Sequence, residues 1–521
     1  MSRLWQYVDK WAAAKPDAEV MVFQEQRIPW AAFRDEVDRV AKAMLDVGVA
    51  KGDRVAMIAM ARPEFLVTFM AASKIGAVWL GISPKFTVDE LRYQLRDAAP
   101  VLLFAVERFQ NVDFRGRAAA FAEEFPGIRR VVFLGAAPDA EDGYAAFAEP
   151  ARGHLDETLE QRAATVTPED EVLLMYTSGS TGKPKGVLHT HRSIIASASV
   201  EVAYFGFDEE TRALLHFPIN HVAADVEIGF STIYGGGCLV LMDRFDPQGS
   251  LETIENERVT VVGQVPVMFL LQFQAPKFPE MDWRRVRAFV WSGSAAPEIM
   301  LDVLCVLCEQ TGARLVTGYG STELCGFCTY SMPDDPRELL AKSAGRVVPP
   351  FEMRIVDDER RPLPHGQNGE VAVRGDIVMK GYLNNPDATA AALDLEGWYY
   401  TGDVGYMDAR GYLFLTGRRS EMFKTGGENV FPREIEETLE RHPAVLFAAV
   451  LGVPDELYSE VGYAFVMLKP GQTVSGDELR AFCKDRLANF KVPKHFDVRP
   501  DLPLLPNGKV SKTALHKELG L

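Results

Sequence analysis

A chain of 521 residues, 47% hydrophobic and 25% charged, exceeds what one hydrophobic core serves, so at least two domains are expected. Its net charge of −17 argues against a general binder of nucleic acid, whose phosphates call for a basic surface. A polyanionic ligand would need lysines, backbone N–H groups or a metal placed locally.

The N-terminus MSRLWQYVDKWAAAKPD is mixed and amphipathic, so no signal peptide is expected. From residue 54 short apolar runs alternate with amphipathic helices. RVAMIAM, a helix from Pro63, AVWLGI, a helix from Thr87 and VLLFA read as βαβαβ. Phe65–Ile82 is the most membrane-like stretch, but Lys74 lies near its middle and Gly76 reads as a helix stop. A buried helix followed by a strand is expected there, without integral membrane association.

After Asp170 the alternation resumes with EVLLMYT, a helix from about Thr190, ALLHF, a helix after His221, and CLVLM. It continues with VTVVG, a helix near Pro266, AFVWSG, a helix from Pro297, and RLVTGYG. Such alternation predicts an α/β fold of doubly wound, largely parallel sheets. Two blocks separated by an Ala- and Glu-rich stretch at about 115–165 suggest two related layers.

From about 345 to 417 short β segments with many glycines (MRIVDD, GEVAVRG, GYLFLTG) predict a small antiparallel or β-barrel-like unit. A small α+β unit follows, with helices PREIEETLERH and GDELRAFCKDRL and strands VLFAAVLG and YAFVMLK, and the chain closes in an irregular, Pro-rich tail carrying Lys509. The expected division is an N-terminal domain over 1–417, with α/β subdomains to about 344 and the β-barrel-like unit after them, and a C-terminal domain over 421–521.

Cys305-x2-Cys308 and Cys325-x2-Cys328, sixteen residues apart, match a zinc-ribbon spacing. The first pair sits in the apolar helical pattern IMLDVLCVLCEQ and the second follows YGSTE, so buried thiols are expected instead. Nothing suggests a disulfide framework, and the cytoplasm is the expected compartment.

Tyr176–Gly186 (YTSGSTGKPKG) follows a strand and is dense in Gly, Ser and Thr, with two lysines. Glycine lets backbone N–H groups converge on an anion, hydroxyls add donors and Lys supplies the opposite charge. It is not a Walker A loop, because Lys183 is followed by Pro184, which disfavours a helix there.

This loop resembles the signature of the adenylate-forming superfamily of acyl-CoA synthetases, luciferases and peptide-synthetase adenylation domains. Tyr319-Gly320-Ser321-Thr322-Glu323 resembles its second signature and Tyr400-Thr401-Gly402-Asp403 its third. Gly417-Arg418 with Lys424–Asn429 resembles the fourth, and Asn507-Gly508-Lys509 the last; the order is the family's, from about residue 20 to the end.

The resemblance implies an ATP-dependent acyl-CoA synthetase. A carboxylate attacks the α-phosphorus of ATP, pyrophosphate leaves, and the acyl group passes from AMP to coenzyme A. Thr177, Ser178, Gly179, Ser180, Thr181, Gly182 and Lys183 would surround the outer phosphates. Thr322 would meet the α-phosphate, and Glu323 with Thr181 would hold Mg²⁺, a hard cation suited to oxygen ligands. Tyr319 would pack on adenine, with Gly318, Gly320, Ser321, Ser294, Ala295 and Ala296 beside the nucleotide. Asp403 would accept from the ribose hydroxyls, near Arg418. Lys509 would reach the carboxylate and the bridging oxygen during adenylation.

For the second step the C-terminal domain would rotate about a hinge at 418–420, two residues past the motif arginine, where Ser420 replaces the usual Asp or Lys. Lys424 would then face the active site, and Gly426 and Gly427 would let a pantetheine chain pass close to the backbone. No carrier domain follows Leu521, which favours free coenzyme A; the alternative is a stand-alone enzyme loading an acyl carrier protein.

The acyl pocket is expected at His221, Val222, Ala223, Ser292, Gly293, Ser294, Gly318, Cys325 and Gly326. Asn220-His221 stands where amino-acid-activating relatives carry an Asp, which argues against an α-amino acid. The small and apolar walls suit a compact to medium aliphatic or aromatic acid. Asp225 and Glu227 are unusual in a helix expected to be apolar; they pair with a cationic or polar acyl tail, or they point away toward solvent or another chain. The chain's partners are thus an acid, ATP and coenzyme A, and a homo-oligomer is left open.

Overall fold

The computed structural model describes residues 1–137, 140–149, 153–177, 184–293, 296–469, 471–503 and 510–521. Two seven-stranded sheets form the bulk of the chain. The first runs, in spatial order, Gly381–Tyr382, Lys185–Thr190, Glu171–Thr177, Val78–Ile82, Arg54–Ile58, Leu102–Val106, Arg130–Leu134. The second runs Arg314–Thr317, Ala288–Trp291, Val261–Gln264, Arg212–Leu215, Cys238–Leu241, Glu19–Phe23, Gln26–Pro29. Pairing is parallel through most of both, with antiparallel edges at Lys185–Thr190 and at Gln26–Pro29.

The sheets are not the two successive blocks that the sequence suggested. Glu19–Phe23 joins the second sheet beside Cys238–Leu241, and Glu171–Thr177 joins the first beside Val78–Ile82. The stretch at 115–165 is not a spacer either, since Arg130–Leu134 is the edge strand of the first sheet. Contacts between elements remote in sequence decide this exchange, and no local pattern encodes them.

Local signals place the helices. Pro63 opens Pro63–Ile75 with its φ preset, and Gly76 closes it in the left-handed region at φ 73°. Nearly every residue of that helix is buried, which accounts for its membrane-like hydropathy, and Lys74 leaves the core to pair with Asp38. Among the described residues no helix is long and apolar enough to cross a membrane. Thr87 and Thr190 each cap a helix through a reciprocal capping box. One core, with Trp30, Phe65, Trp79, Phe205 and Phe230 all fully buried, joins the two sheets.

The unit after residue 345 is a four-stranded antiparallel sheet ordered Glu352–Val356, Gly369–Arg374, Trp398–Met407, Leu413–Arg418. A short turn at Arg419–Glu421 leads into a smaller α+β domain with its own core of Phe423, Val430, Ile435, Leu439, Val450, Val466 and Leu479. Its tail is more regular than expected. His495–Arg499 pairs in parallel with Ser459–Leu468, and Lys512–Glu518 is a helix that buries Leu515.

Candidate active site

A cleft of about 1280 Å³ opens between the large domain and the smaller C-terminal one. Thr177, Trp291 and Thr317 line it from the carboxyl ends of their strands, where open α/β sheets gather their loops. Glu436, Glu440, Phe447, Met467, Val510 and Lys512 close it from the smaller domain.

At one end Asp403 is held on both oxygens. The Tyr319 hydroxyl donates to Oδ2 at 2.5 Å and the Arg418 Nε to Oδ1 at 2.9 Å. Asp403 and Arg418 are directly paired across neighbouring strands, so the sheet register sets that contact. The Asp403 charge holds the Arg418 guanidinium above its usual range, and burial with the same carboxylate raises the Tyr319 phenol. Two glycines let this corner close. A Cβ on Gly318 would lie 2.0 Å from the Thr329 carbonyl oxygen, and one on Gly320 would lie 2.1 Å from that of Gly326.

Glu323 sits beside this corner in a single turn, Thr322–Leu324. Its Oε1 accepts from the Tyr382 hydroxyl at 3.0 Å, and it forms no ion pair among the described residues. A carboxylate in a cleft without a cation partner suits a hard divalent ion. The preceding Thr322 carbonyl meets His189 Nε2 at 2.6 Å. Burial lowers the His189 pKa to about 4, so the ring is neutral and its Nε2–H donates.

At the other end His221, Val222, Ala223 and Glu227 line the cleft with Ser292, Gly293, Phe217 and Phe327. The expected helix after His221 is wound as a π-helix over Ala223–Phe230 before it tightens into Ser231–Gly235. A wider turn of this kind inside a helix is typical of functional sites. The backbone N–H of Ala223 donates to His221 Nδ1 at 3.1 Å, which fixes the ring at the start of that turn. Cys325 and Gly326 are buried and do not themselves line the cleft; Cys325 takes a left-handed φ of 57°.

Ser178, Gly179, Ser180, Thr181, Gly182, Lys183, Ser294, Ala295 and Lys509 lie outside the described residues. Their neighbours Thr177, Pro184, Gly293, Ala296 and Val510 all line the cleft. The sequence expected a helix from Thr190 directly after the Gly-rich loop. Instead Lys185–Thr190 runs antiparallel to Glu171–Thr177, with Lys185 opposite Thr177, so the loop is the turn of a hairpin.

Ser420 lines the cleft, whereas Lys424, Gly426 and Gly427 do not. Lys424 is exposed on a small hairpin, its N–H bonded to Glu460, and Gly426 and Gly427 take the positive φ of the hairpin's turn. The face turned to the cleft is that of Val510 and Lys512. Sequence reading did not single out His189, Tyr382 or Lys512. Lys512 alone carried a signal, a second lysine three residues past Lys509.

Residues 8–383 match the family model described as AMP-binding enzyme, and residues 434–509 match the AMP-binding enzyme C-terminal domain. A putative acyl-CoA synthetase, YngI, of Bacillus subtilis is 31% identical over 99% of this chain and 97% of its own. An indoleacetate–CoA ligase of Aromatoleum aromaticum is 32% identical over 98% and 96%. Among solved structures, ATP-bound MatB from Rhodopseudomonas palustris superposes with a TM-score of 0.84 at 26% identity, over 99% of this chain and 98% of that one.

Proposed function

This chain belongs to the AMP-binding enzyme family as an ATP-dependent acid–thiol ligase, and we propose the following division of its reaction among its residues. The observation that carries the reading is the meeting, in one cleft, of the Tyr319–Asp403–Arg418 corner, Glu323 and the His221 wall. Asp403 accepts from the ribose hydroxyls, and Tyr319 packs against the base. Thr177 to Lys183 hold the outer phosphates, with Thr322 at the α-phosphate. Glu323 with Thr181 holds Mg²⁺, which when bound supplies positive charge against the phosphates.

The acid lies along His221, Val222 and Ala223 with its carboxylate toward Thr322. Attack brings two anions together, so the site's task is to neutralise and align them. Lys509 enters from the smaller domain to neutralise both. The inward face of Val510 and Lys512 supports this arrangement as the one for adenylation. Rotation about Ser420, between a domain over 1–417 and one over 421–521, then brings Lys424, Gly426 and Gly427 to the cleft for attack by the coenzyme A thiol. The acyl group is a compact to medium one, and six free cysteines support a reducing compartment such as the cytoplasm.

A panel of short, branched, aromatic and cationic acids, each incubated with enzyme, ATP, Mg²⁺ and coenzyme A, tests the reading. Acid-dependent AMP release with thioester formation is expected for at least one acid. AMP-independent turnover, or adenylate formation that never reaches coenzyme A, contradicts it.

A further inference from the structure

The acyl side of the cleft holds acidic charge that the protein leaves unbalanced. Glu227 lines the cleft from the π-helical turn and is 8% exposed. Behind it Glu201, on the helix His191–Phe205, is fully buried and accepts from the Ser231 hydroxyl at 2.7 Å. A Cβ on Gly326 would meet Glu201 Oε1 at 2.5 Å and Glu227 Cγ at 3.3 Å, so the two side chains converge over that glycine. Asp225 is 0% exposed and neither of its carboxyl oxygens has a hydrogen-bond partner. All three carboxyls act on the Cys325 thiol, which places them along one wall.

Neither Glu201 nor Asp225 belongs to an ion pair among the described residues, and no group of His, Cys, Asp and Glu there is arranged to hold a metal. Burying carboxyls without partners is costly, and breaking even with apolar side chains of the same size would be easy. Burial pushes both Glu201 and Asp225 above the usual carboxyl range, which marks groups that lack a cation in the empty protein.

We propose that Glu227, backed by Glu201 and Asp225, receives a cationic nitrogen at the end of the acyl group remote from its carboxyl. The substrate is then a carboxylic acid bearing an ammonium, alkylated ammonium or guanidinium on its far end. Val222, Ala223 and Phe327, which line the same cleft, suit its carbon body. A pocket built around a charge rejects the uncharged isostere strongly, because the carboxyls are again left unpaired. This inference rests on the reading of the cleft as a site that activates carboxylates.

The test compares matched pairs of acids in coenzyme A-dependent AMP release: an ω-ammonio acid against its ω-methyl isostere, and a trimethylammonio acid against its tert-butyl isostere. Wild type is expected to favour the cationic member of a pair in kcat/KM by about tenfold or more, the scale of one charge-assisted contact. Glu227→Gln, nearly isosteric, is expected to lower that ratio by a similar factor; a ratio within one preparation is insensitive to general damage to the fold. Equal or better use of the neutral acids by wild type overturns the inference and leaves the ligase reading intact. So does a cationic preference that Glu227→Gln leaves unaltered. AMP release with none of the acids overturns the ligase reading itself and the inference with it.

Discussion

His189 Nε2 lies 2.6 Å from the carbonyl oxygen of Thr322. The bond ties the strand that leaves the Gly-rich loop to the turn that carries Glu323, so two parts of the phosphate site share one buried strut. His189→Leu removes the donor and leaves the Thr322 carbonyl without its buried partner. A fall of about tenfold to a hundredfold in kcat/KM for ATP is expected, with partial recovery in His189→Gln, whose amide can reach the same oxygen. Pyrophosphate exchange measured on both variants checks this, and equal losses in the two would refute the strut.

The same histidine carries a pH signature. Its folded pKa is lowered to about 4 by burial, so between about 4 and 6.5 the unfolded chain binds a proton that the folded one does not. Stability from this group therefore rises with pH across that window and is lost on acidification, by an amount on the order of 3 kcal/mol. Melting temperatures of wild type and His189→Gln are expected to diverge least near pH 5 and most above pH 7, in favour of wild type. His191 and His216 are lowered in the same way, and comparison with the variant removes their common contribution.

Asp403 accepts from both Tyr319 and Arg418, so the ribose meets a carboxylate already fixed in place. Asp403→Asn keeps the shape and loses the charge. AMP affinity by calorimetry is expected to fall about tenfold to a hundredfold, the scale of a hydrogen bond to an ionised group. Tyr319→Phe frees one oxygen and is expected to cost less. A larger loss in Tyr319→Phe than in Asp403→Asn would show that the carboxylate is not the anchor.

Lys512 pairs with Glu421 at 2.6 Å and with Glu436 at 2.9 Å, while the Ser511 N–H bonds the Pro503 carbonyl at 2.7 Å. Burial opposes the Lys512 charge, and the two glutamates outweigh it, raising its pKa. These contacts fasten both ends of the segment that bears Lys509 to the turn at the proposed hinge. Lys512→Ala is expected to slow acyl-adenylate formation about tenfold to a hundredfold and to slow thioester formation from supplied acyl-AMP far less. Lys512→Arg is expected to restore most of the first step. Lys424→Ala is expected to show the opposite split. Stopped-time assays of each half-reaction decide between these outcomes and a uniform loss in both variants.

Much of this site could be read from the chain because chemistry and backbone coincide in it. Tyr319–Glu323, Asp403 and Arg418 are short local motifs, and the structure brings them to one cleft. Helix limits at Pro63, Gly76, Thr87 and Thr190 were legible for the same reason, since capping is local. What escaped depends on partners remote in sequence. The exchange of Glu19–Phe23 and Glu171–Thr177 between sheets, and the His189 and Tyr382 contacts, arise only when the sheets assemble. The hairpin strand Lys185–Thr190 was hidden because its residues lead straight into a well-capped helix. Asp225 and Glu227 were visible as anomalies, and only the fold puts Glu201 beside them.

The central claim is that one acid is adenylated and then passed to free coenzyme A. The most direct measurement mixes enzyme, ATP, Mg²⁺, a turned-over acid and coenzyme A, and quantifies acyl-CoA and AMP in the same samples over time. The account predicts equimolar growth of the two, with neither formed when the acid or ATP is withheld. AMP or pyrophosphate accumulating without acyl-CoA would contradict it.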